Sequence, residues 1–389
     1  MQIKRWVSDF GNSMCQHMVD GLYFELPSAI AELTASEADG LFSEAISEEK
    51  LLKNLLIKVS MDGAERYFKV GEKAQGYALA NAHIDRLHDK SESLTVMITW
   101  LASIAYFQAK KQPGSKEQEN VHIDYFLTLL PVWLVKRADR FASALRKMAD
   151  RFVGEHQVTL LTPGWEREIT VVVKDTVCRV EGETARFALK YDLELNLREE
   201  ADVFKDAYAV INDLGGQSQD LSKLPPGLGM AQDKDDFASS TDQSYLHTLE
   251  LLRTSKLMTH FTDVRALEAF ILEHVRKREY IYMDPTTQEK TNFSECINRT
   301  LHNFAKVAMQ KSLHAFQFAH GQKVYFVHIG GVNQVLQGYM QEYLDKTLGK
   351  EIASQYHIFP EDSRKLNLYA GEIVAKSELK RREKAKADA

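Results

Sequence analysis

Two short stretches of this chain place an acid, glycine and a hydroxyl side chain together at the end of an apolar run. The first is Val7-Ser8-Asp9-Phe10-Gly11-Asn12-Ser13, preceded by Ile3 and Trp6. The second is DAYAVINDLGGQSQD, Asp206 to Asp220, in which the apolar run Ala207 to Ile211 breaks into Asp213-Leu214-Gly215-Gly216-Gln217-Ser218. An acid at a strand end suits a metal ion held through water. Glycines after it let the backbone turn sharply and offer N–H groups to an anion, which the following hydroxyl also reaches. Either stretch alone also suits an ordinary strand-to-strand hairpin. Asp9 and Asp213 stand 204 positions apart, about half of the 389 residues. That spacing suggests two related halves, each bringing one loop to a shared cleft.

Two further constellations belong to the same chemistry. Val324 to Ile329 reads as a strand, broken by Gly330-Gly331 and followed by a helical Asn333–Leu348. The strand Thr176–Val180 ends in Glu181-Gly182-Glu183-Thr184-Ala185-Arg186-Phe187. A carboxylate at such a strand end can face a cleft. Glu183, two residues on, competes with Glu181 for that place, and either also suits a surface acid at a helix start.

Positioning these groups requires a mixed α/β scaffold. Leu55–Ser60 and Arg66–Val70 alternate apolar and polar residues around Met61-Asp62-Gly63-Ala64, a hairpin signal. Leu94–Ala109 has apolar residues at helical spacing and reads as a buried helix, with Trp100 and Tyr106 in its packing. Val121–Leu130 reads as one strand and Lys136–Phe152 as a basic amphipathic helix with a solvated face. Strands follow at His156–Leu161 and Ile169–Val173; Tyr245–Leu257, Val264–Arg278 and Phe293–Ala315 are helical. Residues 31–50 and 217–243 read as surface excursions, and Lys376–Lys386 as a charged terminal helix or tail. His83 and His88 lack the i, i+4 spacing of a helical metal site.

The bulk numbers narrow the classes. With 44% hydrophobic residues the chain can bury a large core, and its length favours at least two domains. A net charge of −6 gives no general reason to bind nucleic acid directly. Cys15, Cys178 and Cys296 are too dispersed for a disulfide framework or zinc site, which fits a reducing cytoplasm. No signal peptide, apolar span or terminal membrane helix is expected.

The ordered set of loops resembles the actin-like ATPases, in particular plasmid-segregation ATPases of the ParM type, over nearly the whole chain. Leu26-Pro27-Ser28, Val70-Gly71-Glu72-Lys73-Ala74, the strand end Leu130-Pro131 and a late turn Asn367-Leu368-Tyr369-Ala370-Gly371 are similar to further landmarks of that family. The resemblance implies an actin-like α/β fold with two related, RNase H-like halves around a nucleotide cleft. Residues 1–185 would form the first half, with a small insert near 31–90. Residues 186–365 would form the second, with a helical insert near 223–300, and 366–389 a helix returning to the first. It implies ATP or ADP with Mg²⁺, GTP remaining open. Asp9 and Asp213 would hold the ion through water, and Gly11, Asn12, Ser13, Gly215, Gly216, Gln217 and Ser218 would bind phosphates. Gly330, Gly331 and Asn333 would lie along the nucleotide, the two glycines against adenosine, and Glu181 would polarise the attacking water. Glu268, Glu273, Lys277 and Arg278 are candidates for ribose or adenine.

The implied role is a filament-forming ATPase that moves plasmid DNA through a centromere-binding adaptor, in the cytoplasm and away from membranes. A monomeric small-molecule kinase and a heat-shock-chaperone-like nucleotide module are the alternatives on the same fold. The chain departs from the family in three places. Met14, Cys15, Gln16 and His17 stand where many relatives carry a lysine after the first loop. Gln217 replaces a small or hydroxyl residue, and the third loop has only two adjacent glycines.

Overall fold

In the computed structural model, which describes residues 1–61, 63–76, 89–114 and 118–388, strands and helices follow one another along the chain in two successive sets. The first set holds strands β1 (Gln2–Ile3), β2 (Trp6–Phe10), β3 (Met14–Val19), β4 (Leu22–Pro27), β5 (Ile30–Leu33), β6 (Leu55–Met61), β7 (Ala64–Val70), β8 (Glu119–Ile123), β9 (Phe126–Leu130), β10 (Gly154–Leu160), β11 (Arg167–Val173) and β12 (Thr176–Val180). Its helices are α1 (Ala35–Asp39), α2 (Glu72–Gln75), α3 (Leu94–Lys111), α4 (Val132–Arg137), α5 (Phe141–Asp150) and α6 (Arg186–Lys190). The second set holds β13 (Tyr208–Leu214), β14 (Gln219–Leu224), β15 (Phe237–Ser240), β16 (Ile281–Met283), β17 (Lys290–Asn292), β18 (Val324–Ile329) and β19 (His357–Ile358). Its helices are α7 (Tyr245–Leu252), α8 (Val264–His274), α9 (Ser294–His314), α10 (Asn333–Leu348), α11 (Lys350–Tyr356) and α12 (Leu366–Ala387).

Two five-stranded sheets carry the duplication. One has the order β4-β3-β2-β9-β12, the other β15-β14-β13-β18-β19. In both, the first three strands pair antiparallel and the last two join in parallel. Asp9 faces Gln16 across the first hairpin, and Asp213 faces Asp220 across the second. The cross-strand partners are separated by the same 204 positions as the acids, so the echo in sequence is an echo in register.

The seven-stranded sheet, β1-β8-β11-β10-β6-β7-β5, departs from a compact insert near 31–90. It takes β5, β6 and β7 from that stretch but β8, β10 and β11 from residues 119–173. The single strand expected over Val121–Leu130 is two: β8 lies in this sheet and β9 in the five-stranded one. Neighbouring strands break at the same level, β1 from β2 at Lys4-Arg5 and β11 from β12 at Lys174-Asp175. Charged residues mark all three breaks, with Asp124 at the third. Apolar residues on both sides of Asp124 hide that break from periodicity. One core spans both sheets, built on α3, whose Ile98, Trp100, Ala102 and Ile104 are fully buried.

Other expectations shift similarly. The basic helix over Lys136–Phe152 is two helices, α4 and α5, separated by Ala138-Asp139-Arg140. The basic face is exposed, as expected, although Lys136 donates to the Phe237 carbonyl and Lys147 pairs with Glu92. The excursion 31–50 contains β5 and α1, the polar stretch 232–240 contains β15, and the hairpin β16–β17 has no clear periodic signal. Helices α7, α8, α9 and α10 share a separate core in the second half. His83 and His88 lie outside the described residues. Among those described, no helix is long and apolar enough to cross a membrane.

The Asn367–Gly371 stretch is not a turn but the first turns of α12. Gly371 instead lets that helix lie close on the first sheet: a Cβ there would stand 2.6 Å from Val7 Cγ1. Leu368, Val374 and Ala375 of α12 pack against Val7, Leu127 and Leu129 of the first half. Leu366, Ala370 and Ile373 pack against Ala209, Ile211 and Ile329 of the second. The helix therefore bridges both five-stranded sheets.

Candidate nucleotide site

The ends of these two sheets enclose a cleft of about 350 Å³. It is lined by Asp9, Gly11, Asn12 and Ser13 from the first hairpin and Asp213, Gly215, Gly216, Gln217 and Ser218 from the second. Glu181 and the Gly330-Gly331 loop complete the ring of expected residues. Asn333 is not among them. It is 1% exposed and its amide donates inward to the His328 carbonyl, anchoring the start of α10.

Each loop is a tight connection between antiparallel strands, so the hairpin and anion-loop readings coincide. Gly11 is required by the turn, because a Cβ would stand 2.6 Å from the Met14 carbonyl oxygen. Gly330 has φ +101°, and a Cβ there would stand 2.5 Å from the Leu214 carbonyl oxygen and 2.6 Å from Asp213 Oδ1. Its small size lets the third loop press against the end of β13. Gly331 meets nothing within 4 Å of that position and faces open space.

The acids are strongly coupled to burial and to one another. Burial, then the Glu181 charge, pushes the Asp9 carboxyl up to about 7, against the opposing charges of Lys90 and Arg364. Asp213 is raised well above the carboxylate range by burial and by Glu181, although its bond from Asn367 favours the charged form. Asp220 is also pushed up to about 7 by burial, despite hydroxyls donated by Ser239 and, at 3.0 Å, Ser218. Several buried carboxylates that oppose each other's ionisation suit a cation between them. No group of three or more such ligands is dense enough to chelate one directly among the described residues. That donor set fits Mg²⁺ held through its waters, because the ion dehydrates reluctantly. Asn12 Oδ1 is buried at the cleft without a hydrogen-bond partner among the described residues, an acceptor left for a ligand's donor.

Between Glu181 and Glu183 the structure discriminates. Glu181 follows the last residue of β12, its N–H donating to the Leu130 carbonyl at 2.8 Å, and lines the cleft. Glu183 turns away and binds Arg186 Nε at 2.7 Å. Glu181 Oε1 accepts from Lys90 Nζ at 3.0 Å.

Further contributions arrive from distant segments, of which Lys90 and Arg265 carry no signal in sequence. Lys90 comes from the segment before α3. Asn367, at the start of α12, donates to Asp213 Oδ2 at 2.6 Å and accepts from the Gly182 N–H at 2.9 Å. From α8, Glu268 accepts from Ser13 Oγ at 3.2 Å and Arg265 donates to the Ser13 carbonyl at 3.1 Å. Glu268 thus lines the cleft by touching the first hairpin, whereas Glu273, Lys277 and Arg278 do not line it. Arg278 pairs with Glu342 and lies over the Tyr339 ring. Glu268 already stood among the sequence candidates, and Asp220 was open to detection by projecting the hairpin register one strand onward.

Comparison with known proteins fits this architecture. Residues 208–363 match the family model of the Alp7A C-terminal domain. Over its whole length the chain is 36% identical to the solved actin-like protein Alp7A, covering all of both chains with a TM-score of 0.90. ParM of Bacillus thuringiensis, solved with AMPPNP, shares 16% identity over 97% of this chain and 99% of its own, with a TM-score of 0.64. A ParM subunit from a 15-stranded filament of Clostridium botulinum shares 13% over 97% of this chain and all of its own, with a TM-score of 0.68. No curated protein sequence matches the chain significantly. Full-length identity places the chain in the family of the actin-like protein Alp7A, and the ParM structures share its fold.

Proposed function

We propose that this protein is a nucleotide-switched, filament-forming ATPase that segregates plasmid DNA from the cytoplasm. The observation that carries this reading is the pair of register-matched hairpins placing Asp9 and Asp213 on one cleft beside Glu181. A 36% identical actin-like protein of the same length supports it. Residues 1–185 and 186–365 would act as two halves closing on the nucleotide, with 366–389 bridging them.

The backbone N–H groups of Gly11–Ser13 and Gly215–Ser218 would receive phosphate oxygens from two sides. Mg²⁺, held through water by Asp9 and Asp213, would neutralise phosphate charge. Glu181 would orient the attacking water and take its proton as the water oxygen bonds to the γ-phosphorus. The bond to the β–γ bridging oxygen breaks, giving ADP and inorganic phosphate. Such positioning needs little covalent work from the protein. ParM of Bacillus thuringiensis has been solved with ATP, ADP and AMPPNP, which supports adenine over guanine nucleotides here.

A shape change on nucleotide binding would be read by a head-to-tail contact, and a heterologous contact that does not close builds a filament. The botulinum ParM filament supports that mode of assembly. A separate adaptor would link the filament to the plasmid centromere, since the chain is acidic. The test is sedimentation with Mg²⁺ and ATP, ADP or no nucleotide. Polymer should pellet with ATP above a critical concentration and be lost as nucleotide is spent. A protein that stays monomeric at saturating ATP while phosphorylating a small metabolite would instead be a kinase.

A further inference from the structure

Neither hairpin turn contains a basic residue: Asp9–Met14 and Asp213–Gln219 carry none. The cleft wall is rich in acids, with Asp9, Glu25, Glu181, Asp213 and Glu268 all facing it. A nucleoside triphosphate adds about four negative charges, of which a divalent ion offsets two. A protein cation at the phosphate end is therefore needed, and among the described residues three basic ones line the cleft: Lys90, Arg265 and Arg364. Arg364 is held by both carboxylate oxygens of Glu25, at 3.2 and 2.6 Å. Arg265 is directed at the Ser13 carbonyl from α8.

Lys90 is placed differently. Its side chain is 7% exposed and its ammonium binds Glu181, whose side chain is 12% exposed, at the strand end where the attacking water is expected. Its charge is felt by acids on both hairpins, opposing the burial that raises Asp9 and Asp220. An ammonium has three donors, and Glu181 occupies one.

The backbone that delivers Lys90 is fixed at several points. Asp89 Oδ1 accepts from the Ser91 N–H at 2.8 Å and from its hydroxyl at 2.6 Å. Arg151, just after α5, donates through Nη1 to the Lys90 carbonyl at 2.6 Å and through Nη2 to the Ser93 carbonyl at 2.8 Å. Burying a lysine is costly unless it is paired and well positioned. Here a guanidinium and a side-chain-capped turn hold the segment that carries it.

We infer that Lys90 is the γ-phosphate-binding cation of this cleft, shared between Glu181 and the terminal phosphate, with Arg151 as its positioning residue. In the nucleotide-free chain its ammonium neutralises Glu181. When a triphosphate enters, the γ-oxygens compete for the same donors. The Lys90 bond to Glu181 then loosens, leaving a carboxylate oxygen for the water's proton. ADP has no γ-oxygens and leaves the Lys90–Glu181 pair intact. This deepens the nucleotide reading above and rests on it.

The assay is equilibrium binding of AMPPNP and ADP with Mg²⁺ to the full chain and to Lys90→Met and Lys90→Arg variants. Removing a charge-assisted contact made only by the triphosphate should lower the AMPPNP-to-ADP affinity ratio roughly 10- to 100-fold. ADP affinity should stay within about threefold. Lys90→Arg should recover part of the ratio, and Arg151→Ala should lower it less than Lys90→Met. Circular dichroism and thermal unfolding report whether each variant is folded; if Lys90→Met is not, Lys90→Arg and Arg151→Ala carry the same comparison. An unchanged ratio in folded variants, or equal loss for both nucleotides, overturns the assignment. If the unsubstituted protein binds neither nucleotide, the nucleotide reading itself falls, and this one with it.

Discussion

Asn367 offers a direct test of how the cleft is assembled. Its side chain makes two buried hydrogen bonds, donating to Asp213 at 2.6 Å and accepting from the Gly182 N–H at 2.9 Å. Asn367→Ala removes both and leaves a buried N–H and a buried carboxyl without those partners. Each orphaned group costs about 1–3 kcal/mol, so the substitution should cost about 2–6 kcal/mol in global stability. That is a large part of the ~5–15 kcal/mol available to a folded domain. Asn367→Asp separates the two bonds: it retains an acceptor for Gly182 but sets a second carboxylate against Asp213. The Asp213 carboxyl is already raised by burial, and a folded-state pKa raised above the unfolded one favours the fold at low pH. The Asn367→Asp penalty should therefore be small near pH 5, where the pair can share a proton, and grow toward pH 8. Urea unfolding of both variants at pH 5 and pH 8, without nucleotide, measures this. An Asn367→Ala loss under about 0.5 kcal/mol, within the range of ordinary surface substitutions, would refute the bridging role. So would an Asn367→Asp penalty that is independent of pH.

Three other outcomes follow from the site and its supports. Glu181→Gln should keep nucleotide binding and assembly but slow phosphate release roughly 10²–10⁴-fold, the span of general base catalysis; Glu183→Ala should change it far less, as phosphate-release assays would show. Asp213→Asn should remove most of the Mg²⁺ dependence of nucleotide binding, read by titrating the ion at fixed ATP. Burial holds His17 down to about 3 and His357 down to about 4, and His328 lies well below its ordinary value. A depressed folded pKa gives stability present above about 6.5 and lost as pH falls, at about 1.4 kcal/mol per pH unit for each group. Asp9, Asp213 and Asp220 oppose this loss in the same window, because their raised carboxyls add stability as pH falls, so the histidine contribution is read as a difference. His17→Gln should gain stability on the unsubstituted protein as pH drops from about 6.5 to about 5, and a constant difference in urea midpoint would contradict the buried neutral state of that ring.

The parts of the site legible in sequence are those whose chemistry is local. An acid, a glycine and a hydroxyl within a few positions specify a turn wherever the strand lies, and the 204-residue repeat tied the two turns together. Glu181 could be placed because the strand before it ends in a recognisable way. The remaining groups arrive by tertiary packing. Lys90 reaches Glu181 across 91 positions and Asn367 reaches Asp213 across 154. No neighbouring pattern marks Lys90, and the stretch around Asn367 marked a turn rather than this contact. Asn333 misled for the opposite reason: adjacency to Gly330-Gly331 suggested a ligand contact, whereas the start of α10 needed its amide for the His328 carbonyl. The strand breaks at Lys4-Arg5, Asp124 and Lys174-Asp175 are a collective feature. Each is unremarkable alone, and their common level shows only when the strands are laid side by side.

That collective construction bears on how the two halves communicate. The chain passes from the first half to the second just after Glu181 and returns through α12, and both passages meet at Asn367. Its two partners are the N–H beside Glu181 and the carboxylate of Asp213, one from each half. On the other side of the cleft, Glu268 and Arg265 of α8 hold the Ser13 hydroxyl and carbonyl. A phosphate arriving at the first hairpin must compete with Glu268 for that hydroxyl, and two anions facing one donor repel each other. Below it, α12 is packed against both sheets, with Gly371 close on Val7 and Ala370 in the opposite core. A change in the separation of the hairpins must therefore break the Ser13 bridge, shear the Asn367 bonds or tilt α12. Tightly packed interfaces give discrete rearrangements rather than smooth deformation. Under the proposed function, nucleotide chemistry and the relative position of the halves would act on the same few contacts, as a shape-dependent assembly switch requires.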